Sequence, residues 1–139
     1  MRKLLGIILV FVFITSLYMI AIADPKENFE LQDRCGAKAD QLFKHQFSTY
    51  NNEFSIARYR NHYNRSLNKC IMYIEIIATA GIMQGKKDDQ LIDVNEKNRL
   101  GSCSFAPGFS PQCFINSPDA IRNVTDTEWV GFVKTVMQE

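Results

Sequence analysis

Histidine is nearly absent: His45 and His62 are the only two in the chain, and they fall in different segments. A zinc centre draws three or four Cys, His or carboxylate ligands from short spacings. The sequence therefore offers no metal site and calls for no cofactor. A G-x-S-x-G elbow is missing too, which removes one familiar signature of a serine hydrolase. Excess charge is also lacking. The formal net charge is +1 across 139 residues, and nucleic acid or an anionic membrane surface as main partner demands a basic surplus. Internal repeats, heptads and low-complexity tracts do not occur.

Beyond residue 23 there is no long apolar run; before it there is one. Arg2 and Lys3 precede an almost wholly apolar stretch from Leu4 to Ile22, and Ala21-Ile22-Ala23 supplies small residues in the A-x-A arrangement ahead of Asp24-Pro25. This reads as a signal peptide, residues 1–23, cleaved after Ala23. The apolar run is long enough to span a bilayer, so a retained N-terminal anchor is the alternative, and membrane contact is expected only in that case. Residues 24–139 are then one globular domain, periplasmic or secreted.

Four cysteines (Cys35, Cys70, Cys103 and Cys113) follow the leader. An even number behind an export signal reads as two disulfides. Of three connectivities, Cys35–Cys70 with Cys103–Cys113 is preferred, since it staples an N-terminal helix to a strand and closes a Pro-rich loop. A hairpin turning near Gly85 would instead place Cys70 opposite Gly101–Cys103, which keeps Cys70–Cys103 open. Oxidised cysteines leave no thiolate for nucleophilic chemistry.

The mature chain is organised around Tyr59–Ala80. From Cys70 the pattern has period two: Cys70, Met72, Ile74, Ile76 and Ala78 share an apolar face, while Ile71, Tyr73, Glu75, Ile77 and Thr79 share a mixed, half-covered one. This is the central strand. Leu31, Cys35, Ala39, Leu42, Phe43 and Phe47 recur at helical spacing and predict a helix over 29–47, after a polar lead-in at 24–28. Residues 54–64 fit a short helix or an irregular edge segment equally well. Residues 81–89 read as a solvated connection, with Asp88-Asp89 in it. Residues 90–105 read as a second strand or pair of strands folding back on 70–80 as an antiparallel hairpin. The proline-rich segment 104–118 reads as a loop. Thr125-Asp126-Thr127-Glu128 is a capping box ahead of the stripe Trp129, Phe132, Val133, Val136 and Met137, predicting a C-terminal helix over 124–138. The fold class is α+β: N-terminal helix, antiparallel sheet (hairpin 70–80/90–105), C-terminal helix.

Chemistry is sparse. Glu75, the one charge within the apolar run, could be a general acid of raised pKa; pairing with a basic side chain on the half-exposed face is the preferred reading. Arg58, Arg60, His62, Arg65 and Lys69, interleaved with Tyr59 and Tyr63, form the only basic-aromatic cluster and the first place to look for a binding patch. Asn64-Arg65-Ser66 and Asn123-Val124-Thr125 fit the N-glycosylation pattern.

His62-Tyr63-Asn64, Leu67-Asn68-Lys69-Cys70, Leu91-Ile92-Asp93 with Glu96, and the closing Glu128-Trp129 helix ending at Met137 together resemble a family of small exported bacterial proteins. The resemblance covers about half of the mature chain. It implies export and a bacterial source and carries over no activity. The function expected is non-catalytic binding of a protein or cell-envelope component. A small secreted hydrolase built on carboxylates and an anchored envelope protein are the alternatives.

Overall fold

A computed structural model describes residues 25–117 and 120–138. The expected signal peptide and its cleavage site lie outside the described residues. Helix α1 (Pro25–Gln46) and a single 3-10 turn (Ser48–Tyr50) lead into strands β1 (Ser55–Asn64), β2 (Lys69–Ala78), β3 (Lys87–Asp93), β4 (Asn98–Phe105), β5 (Gln112–Asn116) and β6 (Ile121–Val124); helix α2 (Asp126–Met137) closes the chain. The strands form one antiparallel sheet in the order β1-β2-β3-β4-β5-β6, each pairing with its neighbour in sequence.

The helices cover opposite faces. Cys70, Met72, Ile74 and Ile76 of β2 pack with Cys35, Ala39, Leu42 and Phe47 under α1. Ile71 packs instead with Leu91, Cys103, Cys113, Trp129, Val133 and Val136 under α2. Successive strand side chains point to opposite faces, so the alternation along β2 feeds two cores. Helix α1 runs antiparallel to β1: Gln32 accepts from the Tyr63 N–H (2.7 Å), whereas further along, Asp40 accepts from the Tyr59 hydroxyl (3.2 Å).

The preferred disulfides both form: Cys35–Cys70 joins α1 to β2, and Cys103–Cys113 joins directly opposed residues of β4 and β5. The rival Cys70–Cys103 fails because two strands, not one, follow the turn near Gly85. β2 pairs with β3, and the Val94 N–H donates to the Cys70 carbonyl (2.8 Å), leaving Cys103 on the next strand along.

Four expectations on secondary structure need correction. Helix α1 starts at Pro25 and takes in the polar lead-in, which suits it: proline is tolerated in a first helical turn, and Glu27 there complements the helix dipole. Residues 55–64 are a strand, paired with β2 over ten residues. The connection after β2 ends at Lys86, so Asp88 and Asp89 lie in β3, and Asp89 is buried. The proline-rich segment is a hairpin: Pro107 sits in its turn and Pro111 just before β5, where neither removes a ladder hydrogen bond. The short, largely exposed edge strand β6 has no counterpart among the sequence expectations.

The capping box of α2 is present. Thr125 Oγ1 accepts from the Glu128 N–H (3.2 Å), and Glu128 Oε2 accepts from the Thr125 N–H (2.8 Å). The Thr125 N–H, and with it the Thr125 hydroxyl, which also donates to Glu128 Oε2 (3.0 Å), hold the Glu128 carboxyl below its ordinary range. The contribution of these two bonds is therefore lost as pH falls through that lowered value.

Candidate functional site

Helix α2 covers only part of its sheet face. Beyond it, β1, β2, β3 and β4 present Arg60 and His62, Tyr73, Lys87 and Asp89, and Phe105 in turn. Together with Trp129, Val133, Lys134 and Met137 of α2 they enclose a cleft of about 550 Å³. A shallower hollow of about 330 Å³ adjoins it over Arg58 and Glu75, sharing Arg60 and Tyr73.

Strand register assembles this surface. Arg58 stands opposite Glu75, Arg60 opposite Tyr73, and Glu75 opposite Asp89. The Arg60 guanidinium lies over the Tyr73 ring, 4.8 Å from its centroid. Lys87 Nζ bridges two carboxylates, Asp89 Oδ2 at 3.1 Å and Glu75 Oε1 at 3.2 Å, and lies 5.0 Å from the centre of the Phe105 ring. Glu75 thus takes the paired arrangement preferred from sequence.

The titration shifts follow from this packing. Burial pushes the Tyr73 phenol up, and the Asp89 and Glu75 carboxylates push it further, so Tyr73 remains a neutral hydroxyl. Burial also raises Asp89; Tyr73 and Lys87 oppose the rise without cancelling it, and Glu75 adds to it. For Lys87 burial acts downward, but the two carboxylates outweigh it and the ammonium is held charged. Four buried side-chain polar atoms have no hydrogen-bond partner among the described residues, and two of them, Asp89 Oδ1 and His62 Nε2, belong to residues of this cleft.

Because folding disfavours the ionised form of Asp89, its contribution to stability is greatest below the ordinary aspartate range and falls as pH rises through its elevated folded value. Asp89→Asn is therefore expected to shrink the loss of stability between about pH 3 and pH 7 relative to the parent. Urea midpoints measured across that range would show it, and an unchanged profile would mean that Asp89 titrates normally.

The seven residues of the basic-aromatic cluster do not form one patch. Arg58, Arg60 and His62 share the cleft face. Tyr59 and Tyr63 point the other way, Tyr59 against Phe43 with ring centroids 4.5 Å apart, and Tyr63 into the core below α1. Arg65 is exposed in the β1–β2 turn. Lys69 pairs with the buried Asp93 and with Glu96 (3.4 Å).

Several residues behind the family resemblance have structural roles. Asn64 is buried, donates to the Val136 carbonyl (3.0 Å) and accepts from the Leu67 N–H (2.9 Å), tying the β1–β2 turn to the end of α2. Its amide is thereby committed, which withdraws Asn64 as a glycan acceptor in the folded domain; Asn123 is exposed. Asn68 adopts a left-handed conformation (φ 52°) that closes the turn and accepts from the Tyr63 hydroxyl.

Tyr73, Lys87, Asp89, Phe105, Trp129 and Lys134 are cleft residues that sequence reasoning did not place in a site. Among the described residues, no three His, Cys, Asp or Glu side chains gather as a metal site would require, and no helix is long and apolar enough to cross a membrane. No protein-family model, curated protein or solved structure matches the chain.

Proposed function

We propose that this is an exported, non-catalytic binding protein whose cleft takes an acidic segment of a protein or cell-envelope component. One observation carries the choice of site. Arg58, Arg60 and Lys134 have no ion-pair partner among the described residues, yet Arg60 and Lys134 line a cleft floored by Tyr73, Phe105 and Trp129, and Arg58 lines the hollow that adjoins it. Three cations free of ion pairs among the described residues, beside an aromatic floor, suit a carboxylate-bearing ligand with an apolar body. Arginine gives bidentate recognition of a carboxylate and stacks on aromatic faces. Export is supported by the leader-like N-terminal sequence and by two disulfides in a small domain.

The double change Arg58→Ala with Arg60→Ala is expected to weaken binding of an oligoglutamate probe about tenfold for each charge-assisted hydrogen bond it removes. The fold should be retained, because both side chains are exposed. Titration by calorimetry measures the affinity, and the same variant should no longer capture partners from envelope extracts. Unchanged affinity in both assays would sink the reading. Intact mass after alkylation without reduction tests export: the mass of residues 24–139 with no added alkyl group is expected.

The hydrolase reading has one observation in its favour: Glu75 and Asp89 face each other across two strands and share Lys87. Glu75→Gln separates the two readings, since a binder keeps its affinity while such an enzyme keeps its fold and loses turnover.

A further inference from the structure

We propose that the protein docks on a lipid bilayer through the tips of two hairpins, independently of the cleft and of whether residues 4–22 are retained. The β2–β3 and β4–β5 turns project from the same end of the sheet. Lys87 pairs with Phe105 at their base, and a Cβ added to Gly85 would lie 3.3 Å from Pro107 Cγ. Ile82 is fully exposed at 102%, Phe109 is 77% exposed and Met83 48%. Exposed apolar side chains gathered at one end of a domain mark an interaction surface.

Three features select lipid as the occupant. First, no ionisable side chain interrupts residues 76–85, and none but the disulfide-bonded cysteines interrupts 100–117, and Lys86, which follows the first stretch, is ion-paired with Asp88 at 2.9 Å. Second, the turns satisfy much of their own backbone. Gln84 N–H donates to Gly81 (3.1 Å), Gly85 N–H to Ala78 (2.9 Å), Lys86 N–H to Met83 (2.9 Å) and Phe109 N–H to Ala106 (3.1 Å). Hydrocarbon tolerates backbone polar groups only when they are paired internally. Left-handed glycines at Gly81, Gly85 and Gly108 (φ 79°, 83° and 80°) make turns this tight possible. Third, the tips are poor in hydrogen-bonding side chains, whereas protein interfaces pair a packed centre with a polar, hydrogen-bonded rim. A bilayer requires no such pairing, and attachment scales with the apolar area inserted.

The natural chain provides a control, because its single tryptophan, Trp129, is 1% exposed and packs between α2 and the sheet. The experiment uses the protein as the cell exports it, carrying Phe109→Trp, mixed with vesicles of phosphatidylcholine or its brominated form. A blue shift and quenching at position 109 are expected while Trp129 in the parent stays unquenched, with little sensitivity to salt. Adding Ile82→Ser should lower the lipid partition coefficient about tenfold. Vesicle binding without quenching at position 109 would assign attachment to the N-terminal segment and overturn the proposal. So would a requirement for anionic lipid abolished by salt, which points to the cationic cleft. A dimer that disappears in Ile82→Ser with no vesicle signal would assign the tips to self-association instead.

Discussion

Replacing Cys35 and Cys70 together with alanine is expected to cost about 3.8 kcal/mol of stability, against about 2.7 kcal/mol for Cys103 and Cys113. The difference follows from loop length. The first bridge closes a separation of 35 residues and the second only 10, and a longer closed loop removes more freedom from the unfolded chain. Either loss is a large fraction of the roughly 5–15 kcal/mol that holds a typical domain together. The two variants should also fail differently. Without Cys35–Cys70, α1 keeps its packing through Leu31, Ala39, Leu42 and Phe43 and a few polar ties to β1 but loses its covalent tie to β2, so limited proteolysis should cut α1 before the sheet. Without Cys103–Cys113, β4 and β5 keep their ladder. Urea unfolding monitored by circular dichroism gives both costs. A larger loss from the shorter loop would mean that the bridges act through native packing and not through the unfolded state.

Trp129→Ala should cost about 3–5 kcal/mol, the usual range for removing a buried large aromatic. The indole is the largest fully buried side chain, and β4 is built to receive it. A Cβ added at Gly101 would fall 2.8 Å from Trp129 Cζ3 and 2.7 Å from the Phe114 carbonyl oxygen. Gly101→Ala is correspondingly expected to lose about 1–3 kcal/mol by overpacking. In a double-mutant cycle, Trp129→Ala should relieve only part of that loss, because the Phe114 carbonyl remains in the way. Full relief would show that the strand can shift away from its neighbour. Both variants should also weaken oligoglutamate binding, since Trp129 walls the cleft.

Where a pattern is clean, the fold is legible from sequence. β2 shows itself because both of its faces are nearly apolar and alternate, and α2 because its capping box precedes a stripe of helical period. β1 does not: Arg58, Arg60 and His62 occupy a face that α2 leaves partly open, so the polar half of the alternation reads as irregular. β5 is hidden by prolines at its borders, which mark turns without saying how short the strand between them is. The site is harder still. Residues adjacent in sequence along a strand diverge in space, so a cluster contiguous in sequence gives up Tyr59 and Tyr63 to the other face. Its replacements, Tyr73, Lys87 and Asp89, arrive only through register between strands. Asp89 in particular reads as a solvated turn residue, and only the pairing of β3 with both neighbours draws it into the sheet.

Each bridge joins cysteines that are consecutive in the chain, and each strand pairs with the one before it. A polypeptide appearing N-terminus first in an oxidising space would meet its correct partner every time a second cysteine emerged: Cys70 finds Cys35 waiting, and Cys113 finds Cys103. Oxidation in order of appearance leads straight to the native pairing, so the protein is expected to mature without disulfide isomerisation.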